Sequence, residues 1–185
     1  YTRVVDNAES RDDINKAYSL ISASKVRNEM IVNDVIACIA MKQTPVILTR
    51  FKEHAKLLYD TLKEEADHVF LLYGDNTDKE NSDIRVRLKQ VPKNESLILV
   101  ATGQKIGEGF DFPRLDVLML AAPVSFEGRL EQYVGRLNRD YEGKEAVYVY
   151  DYIDAHMRFF NKMYGKRLKT YMKTGFSIWT GNEQT

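Results

Sequence analysis

The chain has 185 residues, 44% of them hydrophobic and 29% charged, with 27 Lys+Arg against 27 Asp+Glu. That is the composition of a soluble globular domain with room for one core. It lacks the global basic signature of an autonomous nucleic-acid binder, and no apolar run approaches the roughly 20 residues of a membrane span. The single Cys38 leaves no internal disulfide and fits a reducing, cytoplasmic compartment. On an apolar helix face it reads as a small buried hydrophobe. His54, His68 and His156 are too scattered for a metal site, and no metal ligand is assigned. The start at Tyr1 reads as a fragment boundary, so the missing signal peptide carries no weight.

In chain order, residues 1–10 are polar and irregular. Helices are predicted over 11–22 and 26–41, the second with Met30, Ile31, Val35 and Ile39 inward. Thr44-Pro45 breaks the helix and opens a strand over 46–49. A helix over 52–65 follows, with Ala55, Leu58, Tyr59 and Leu62 inward, and then a strand over 69–73 closed by Gly74. Asp75-Asn-Thr-Asp78 lacks the closing Glu of a calcium loop and reads as a solvated loop and helix cap. A charged helix over 78–90 leads to strands over 97–101 and 117–121, a helix over 130–137 and a strand over 146–150.

The last helix, over 154–173, carries an apolar stripe (Met157, Phe160, Tyr164, Leu168, Met172). A basic stripe (Arg158, Lys162, Lys166, Lys169, Lys173) accompanies it and reads as a solvated outer face ahead of the alternative, a nucleic-acid or acidic-partner surface. Short strands alternating with helices predict an α/β fold, a parallel sheet with helices on both faces. The division expected is a helical lead-in over 1–43, a core over 44–153 and a C-terminal helix and tail over 154–185.

Two segments carry chemistry. In Gln132-Tyr-Val-Gly-Arg136-Leu-Asn-Arg139, positions i, i+4 and i+7 share one helix face, so an amide and two guanidiniums project together. Planar Arg forks bind phosphate oxygens bidentately and stay charged. In Ile98-Leu-Val-Ala-Thr102-Gly-Gln-Lys-Ile-Gly107-Glu-Gly109-Phe-Asp111-Phe-Pro113, a buried strand ends in a polar, glycine-rich turn. Ligands of parallel sheets sit beyond the carboxyl ends of the strands, where such backbone N–H groups can cradle phosphate.

Taken in order, these segments resemble motifs V and VI of superfamily 2 helicases, and Val46-Ile-Leu-Thr-Arg50 is similar to motif IV. The likeness covers most of the chain, and it implies a RecA-like second helicase domain of the P-loop NTPase type. The resemblance implies that Arg136 and Arg139 are arginine fingers. It implies that Gln132, Gly109 and Asp111 face ATP, and that Thr102 and Gly103 meet the nucleic-acid backbone. Thr49 and Arg50 end their strand on the same edge and are candidates either for a further phosphate contact or for structural capping.

The chain has no G-x-x-x-x-G-K-[ST], so ATP and Mg2+ are expected to be held by a first RecA-like domain elsewhere in the parent chain. This half alone is expected to be inactive. Gln rather than His at the head of motif VI resembles the DNA translocases of restriction and repair systems, which puts DNA, single- or double-stranded, ahead of RNA. The alternative is a non-catalytic helicase-like module that binds nucleic acid or protein.

Overall fold

The computed structural model describes residues 11–107, 111–124 and 127–179. The elements run α1 Arg11–Ala23, α2 Lys25–Ala40, β1 Pro45–Thr49, α3 Lys52–Leu62, β2 His68–Leu72 and α4 Asp78–Gln90. They continue with β3 Leu97–Thr102, α5 Gly103–Gly107, β4 Val117–Leu120, α6 Glu127–Leu137, β5 Tyr148–Asp151 and α7 Arg158–Lys173. All five strands are parallel, in the order β2-β3-β1-β4-β5. The predicted α/β class and sheet are those observed.

Both faces of the sheet are covered, which explains the unbroken apolar runs of β1, β3 and β4. Leu48, Leu99, Ala101, Leu118 and Leu120 pack with Leu88 of α4, Ile106 of α5 and Leu130, Tyr133, Val134 and Leu137 of α6. On the other side Ile47, Ile98, Val100, Val117 and Met119 meet Ile31, Val35 and Cys38 of α2 and Ala55, Leu58 and Leu62 of α3. A smaller cluster joins Tyr18 and Ile21 of α1 to Met157, Phe160 and Met163 at the start of α7. No described helix is long and apolar enough to cross a membrane.

Several expectations shift. Met30 is exposed, because the buried stripe of α2 runs through Arg27, Ile31, Val35 and Cys38. The glycine-rich segment expected as a turn after β3 begins as the short helix α5. The predicted end of α3 overshoots by three residues and the predicted start of α6 is three residues late. The last helix begins at Arg158, not Asp154, since the carboxylate of Asp154 turns inward to Arg27 and residues 154–157 form a turn.

The buried face of α7 is Phe160, Met163, Arg167, Thr170 and Tyr171, while Met172 is exposed. From Phe160 on, the expected stripe followed i, i+4 steps, and each such step drifts about 40° around a helix that turns about 100° per residue. The helix cap before α4 is a capping box: Thr77 accepts from the Glu80 N–H, and the Glu80 carboxylate accepts from the Thr77 N–H.

Candidate nucleic-acid and nucleotide interface

The register of the sheet sets Thr49 of β1 beside Thr102 of β3, both at the carboxyl edge. Here the strand order reverses, since the chain leaves β1 toward β2 and leaves β3 toward β4 on the opposite side. A cleft of about 480 Å3 opens at this edge, and its walls include Thr49, Arg50, Thr102, Gly103, Pro123 and Tyr133. All four residues expected to touch nucleic acid therefore line one cavity.

Their chemistry differs. The Thr49 hydroxyl is buried and lies 2.7 Å from His54 Nδ1, while His54 Nε2 lies 2.9 Å from Asn28 Oδ1. The Asn28 amide nitrogen donates to the Ser22 carbonyl, which leaves its oxygen as the acceptor for His54 Nε2–H. Nδ1 must then accept the Thr49 proton. Burial, with the Arg27 charge adding to it, pushes the His54 pKa down to about 4, so the ring is neutral. The Thr49 proton is committed inside the protein.

Arg50 is exposed, its guanidinium stacked over Tyr18 at 4.5 Å and donating to Asn15 Oδ1 at 3.3 Å. Tyr18 donates to the Pro123 carbonyl at 2.7 Å. That side of the cleft is held by an aromatic ring between a cation and the backbone.

Tyr133 connects the cleft to α6. Its hydroxyl donates to the Gly103 carbonyl at 2.8 Å, and a Cβ on Gly103 would stand 2.9 Å from that oxygen. Any larger residue at 103 would force that hydroxyl to shift. Tyr133 sits between Gln132 and Val134 in sequence, and its place in the apolar stripe of the arginine helix was its only signal.

The arginine helix departs from expectation at its end. Gln132 and Arg136 lie on α6, but α6 ends at Leu137 and Arg139 lies beyond it, so the three do not share one helical face. Lys144 explains the stop. Its ammonium donates to the carbonyls of Leu137, Arg139 (3.1 Å) and Pro113 (2.8 Å), capturing the carbonyls that a further turn would need. Burial, foremost, holds the Lys144 pKa below the usual lysine value. Arg139 Nη1 donates to Asp111 Oδ2 at 3.1 Å, so one predicted nucleotide-facing residue pairs with a predicted finger. Gly109 lies outside the described residues.

Comparison with solved structures finds the same fold. T4 UvsW overlays 92% of this chain and 36% of its own, with a TM-score of 0.71 and 22% identity. The C-terminal domain of the DEAD-box protein Dbp5 covers 82% of this chain and 80% of its own, with a TM-score of 0.56 and 14% identity. The chain has the fold of the second RecA-like domain of a superfamily 2 helicase.

No family model matches this RecA-like domain. Among curated proteins, transcript termination protein A18 of Yaba-like disease virus is 29% identical over 125 residues, covering 66% of this chain and 26% of that protein. Putative helicase 161L of invertebrate iridescent virus 6 is 34% identical over 119 residues, covering 64% of this chain and 23% of that protein. The chain thus spans about a quarter of the length of these relatives.

Behind the cleft the RecA-like domain carries a buried ion pair that sequence reasoning missed. The Arg167 fork donates to both oxygens of Asp151 (2.7 and 2.8 Å) and also to the Val124 carbonyl (3.0 Å). Tyr171 donates to Asp151 at 2.9 Å, and burial, then Asp151, raise its pKa. Arg167 had no sequence signal beyond standing among other basic residues on the last helix.

Proposed function

We propose that this chain is the second motor domain of an ATP-dependent helicase or translocase acting on DNA ahead of RNA. The observation that carries the reading is the Tyr133 to Gly103 hydrogen bond. It ties the helix bearing Gln132 and Arg136 to the strand end bearing Thr102, so a strain at one is felt at the other. A motor needs that link between phosphoryl transfer and grip on a polymer.

In this reading Arg139, with Arg136 beside it, stabilises the charge that spreads over the transferring phosphoryl group. A preorganised guanidinium favours the transition state over bound ATP, and such a finger is worth on the order of 10³–10⁵ in rate. Gln132, Asp111 and Gly109 face the nucleotide. Thr102 and Gly103 meet backbone phosphates, which positions a strand without reading its bases. Arg50 adds a phosphate contact from its stacked position, and Thr49, whose proton is committed to His54, contributes a lone pair or structural support. The phosphates of ATP and Mg2+ are assigned to a first RecA-like domain, so this domain alone hydrolyses nothing.

The name of transcript termination protein A18 favours work during transcription, where the Gln-headed motif VI favours restriction or repair. The shared chemistry is a motor on DNA.

The test is the ATPase rate of the intact protein, with and without single- and double-stranded DNA and RNA, for wild type and Arg139→Ala. DNA-stimulated hydrolysis that the substitution abolishes is the expected result. A mutant as active as wild type removes Arg139 from catalysis, and absence of nucleic-acid-stimulated hydrolysis in both favours the non-catalytic binding module.

A further inference from the structure

Helix α7 contains Arg158, Lys162, Lys166, Arg167, Lys169 and Lys173 and no acidic residue, in a chain whose charges balance. Arg167 points inward and is neutralised by Asp151. The other five are all exposed. At about 100° per residue they fall within an arc of about 80°, and at about 1.5 Å per residue they extend over about 22 Å.

Solvated helix faces gain from alternating charge, because opposite charges at i, i+4 stabilise a helix and like charges destabilise it. Helix α4 follows that rule at Lys79–Asp83 and Asp83–Arg87, against one like-charge pair, Arg85–Lys89. Helix α7 breaks it. Arg158–Lys162, Lys162–Lys166 and Lys169–Lys173 are like-charge i, i+4 pairs. Among the described residues, the row meets an acid only at its end, where Lys173 pairs with Glu131 of α6 at 2.9 Å.

The position of this row is informative. The inward face of α7 supports the cleft wall, through the Arg167 bond to the Val124 carbonyl and the edge-on contact of Phe160 with Tyr18. The basic row therefore flanks the same cavity on its outer side.

We propose that the outer face of α7 is an accessory binding surface for the sugar–phosphate backbone of nucleic acid as it leaves the cleft. The inference rests on the motor reading above. Duplex DNA advances about 3.4 Å per nucleotide of one strand, so about 22 Å spans roughly six nucleotides. Polyanion binding offsets the repulsion within the row and needs no acidic partner from the protein.

The experiment measures binding of the intact protein to a short DNA duplex between about 50 and 200 mM salt. It compares wild type, Lys162→Gln/Lys166→Gln/Lys169→Gln, and a control with the same charge change elsewhere, Lys63→Gln/Lys79→Gln/Lys89→Gln. Each lost phosphate contact lowers the salt slope by about 0.9, so the α7 variant should lose about 2.7. Across that salt range wild type then weakens about 40-fold more than the α7 variant, and the control follows wild type. ATPase without DNA should be unchanged. Equal slopes in wild type and the α7 variant, with DNA-stimulated ATPase intact, overturn this surface and leave the motor reading standing. Wild type that binds no nucleic acid overturns both.

Discussion

Arg139 reaches back across 28 residues of sequence to place Nη1 3.1 Å from Asp111 Oδ2. Both side chains are about half exposed, so the pair contributes at most about 1 kcal/mol and yields readily to a better anion. A triphosphate is such an anion, and Asp111 would hold the proposed finger near its working place until one arrives. Arg139→Lys should lower the nucleic-acid-stimulated ATPase nearly as far as Arg139→Ala, by on the order of 10³-fold, because an ammonium cannot reproduce the planar fork. Steady-state kinetics check this; a lysine variant within tenfold of wild type would show that charge alone suffices.

Lys144 bonds to carbonyls on both sides of the proposed nucleotide edge, Pro113 and Arg139. Lys144→Met should leave the fold in place and let the Arg139 segment wander. Misplacement by about 1 Å can cost on the order of 10²-fold, so kcat should fall at least tenfold with little change in the KM for ATP. A rise in KM at constant kcat would assign Lys144 to binding instead.

Gly103 and Tyr133 make a pair whose substitutions should not add. Gly103→Ala drives a methyl to 2.9 Å from the Tyr133 hydroxyl oxygen, at a tyrosine buried in the core. Overpacking of this kind costs about 1–3 kcal/mol. Adding Tyr133→Phe removes the offending oxygen, and the next ring atom stands at 3.9 Å. The double variant should be more stable than Gly103→Ala alone in urea unfolding, and simple additivity would contradict the contact.

His54 gives the protein an acid-sensitive spot. Its folded-state pKa of about 4 lies below the usual value of 6.5, so the unfolded chain binds the extra proton first as pH falls. The stabilisation from keeping the ring neutral is full above about pH 6.5 and is lost progressively toward pH 4. From pH 7 to 5 the loss is about 2 kcal/mol. Urea unfolding at the two values checks this, and His54→Gln should remove that part of the difference while costing stability at pH 7.

The sheet was legible because its strands are buried on both faces and read as continuous apolar runs between glycine, proline and polar stops. The cleft residues Thr49, Arg50, Thr102 and Gly103 were legible because strand ends of a parallel sheet converge wherever the order reverses. What escaped were the side chains that hold these residues still. Tyr133, Lys144, His54 and Arg167 act through contacts 5 to 43 residues away in sequence, set by packing rather than by local pattern. Arg139 was placed on a helix because spacing alone cannot reveal that a lysine further along captures the carbonyl of that helix's last residue, Leu137.

Arg167 grips the end of β5 through Asp151 and the wall of the cleft through the Val124 carbonyl, with a side chain only 2% exposed. A buried fork with two anchors does not stretch. When Val124 shifts, α7 is obliged to turn with it, and a helix about 24 Å long converts a small displacement at its root into a larger sweep at its tip. The last helix is then a pointer fixed to the cavity, and a fluorophore on exposed Met172 would report the filling of the cleft from outside it.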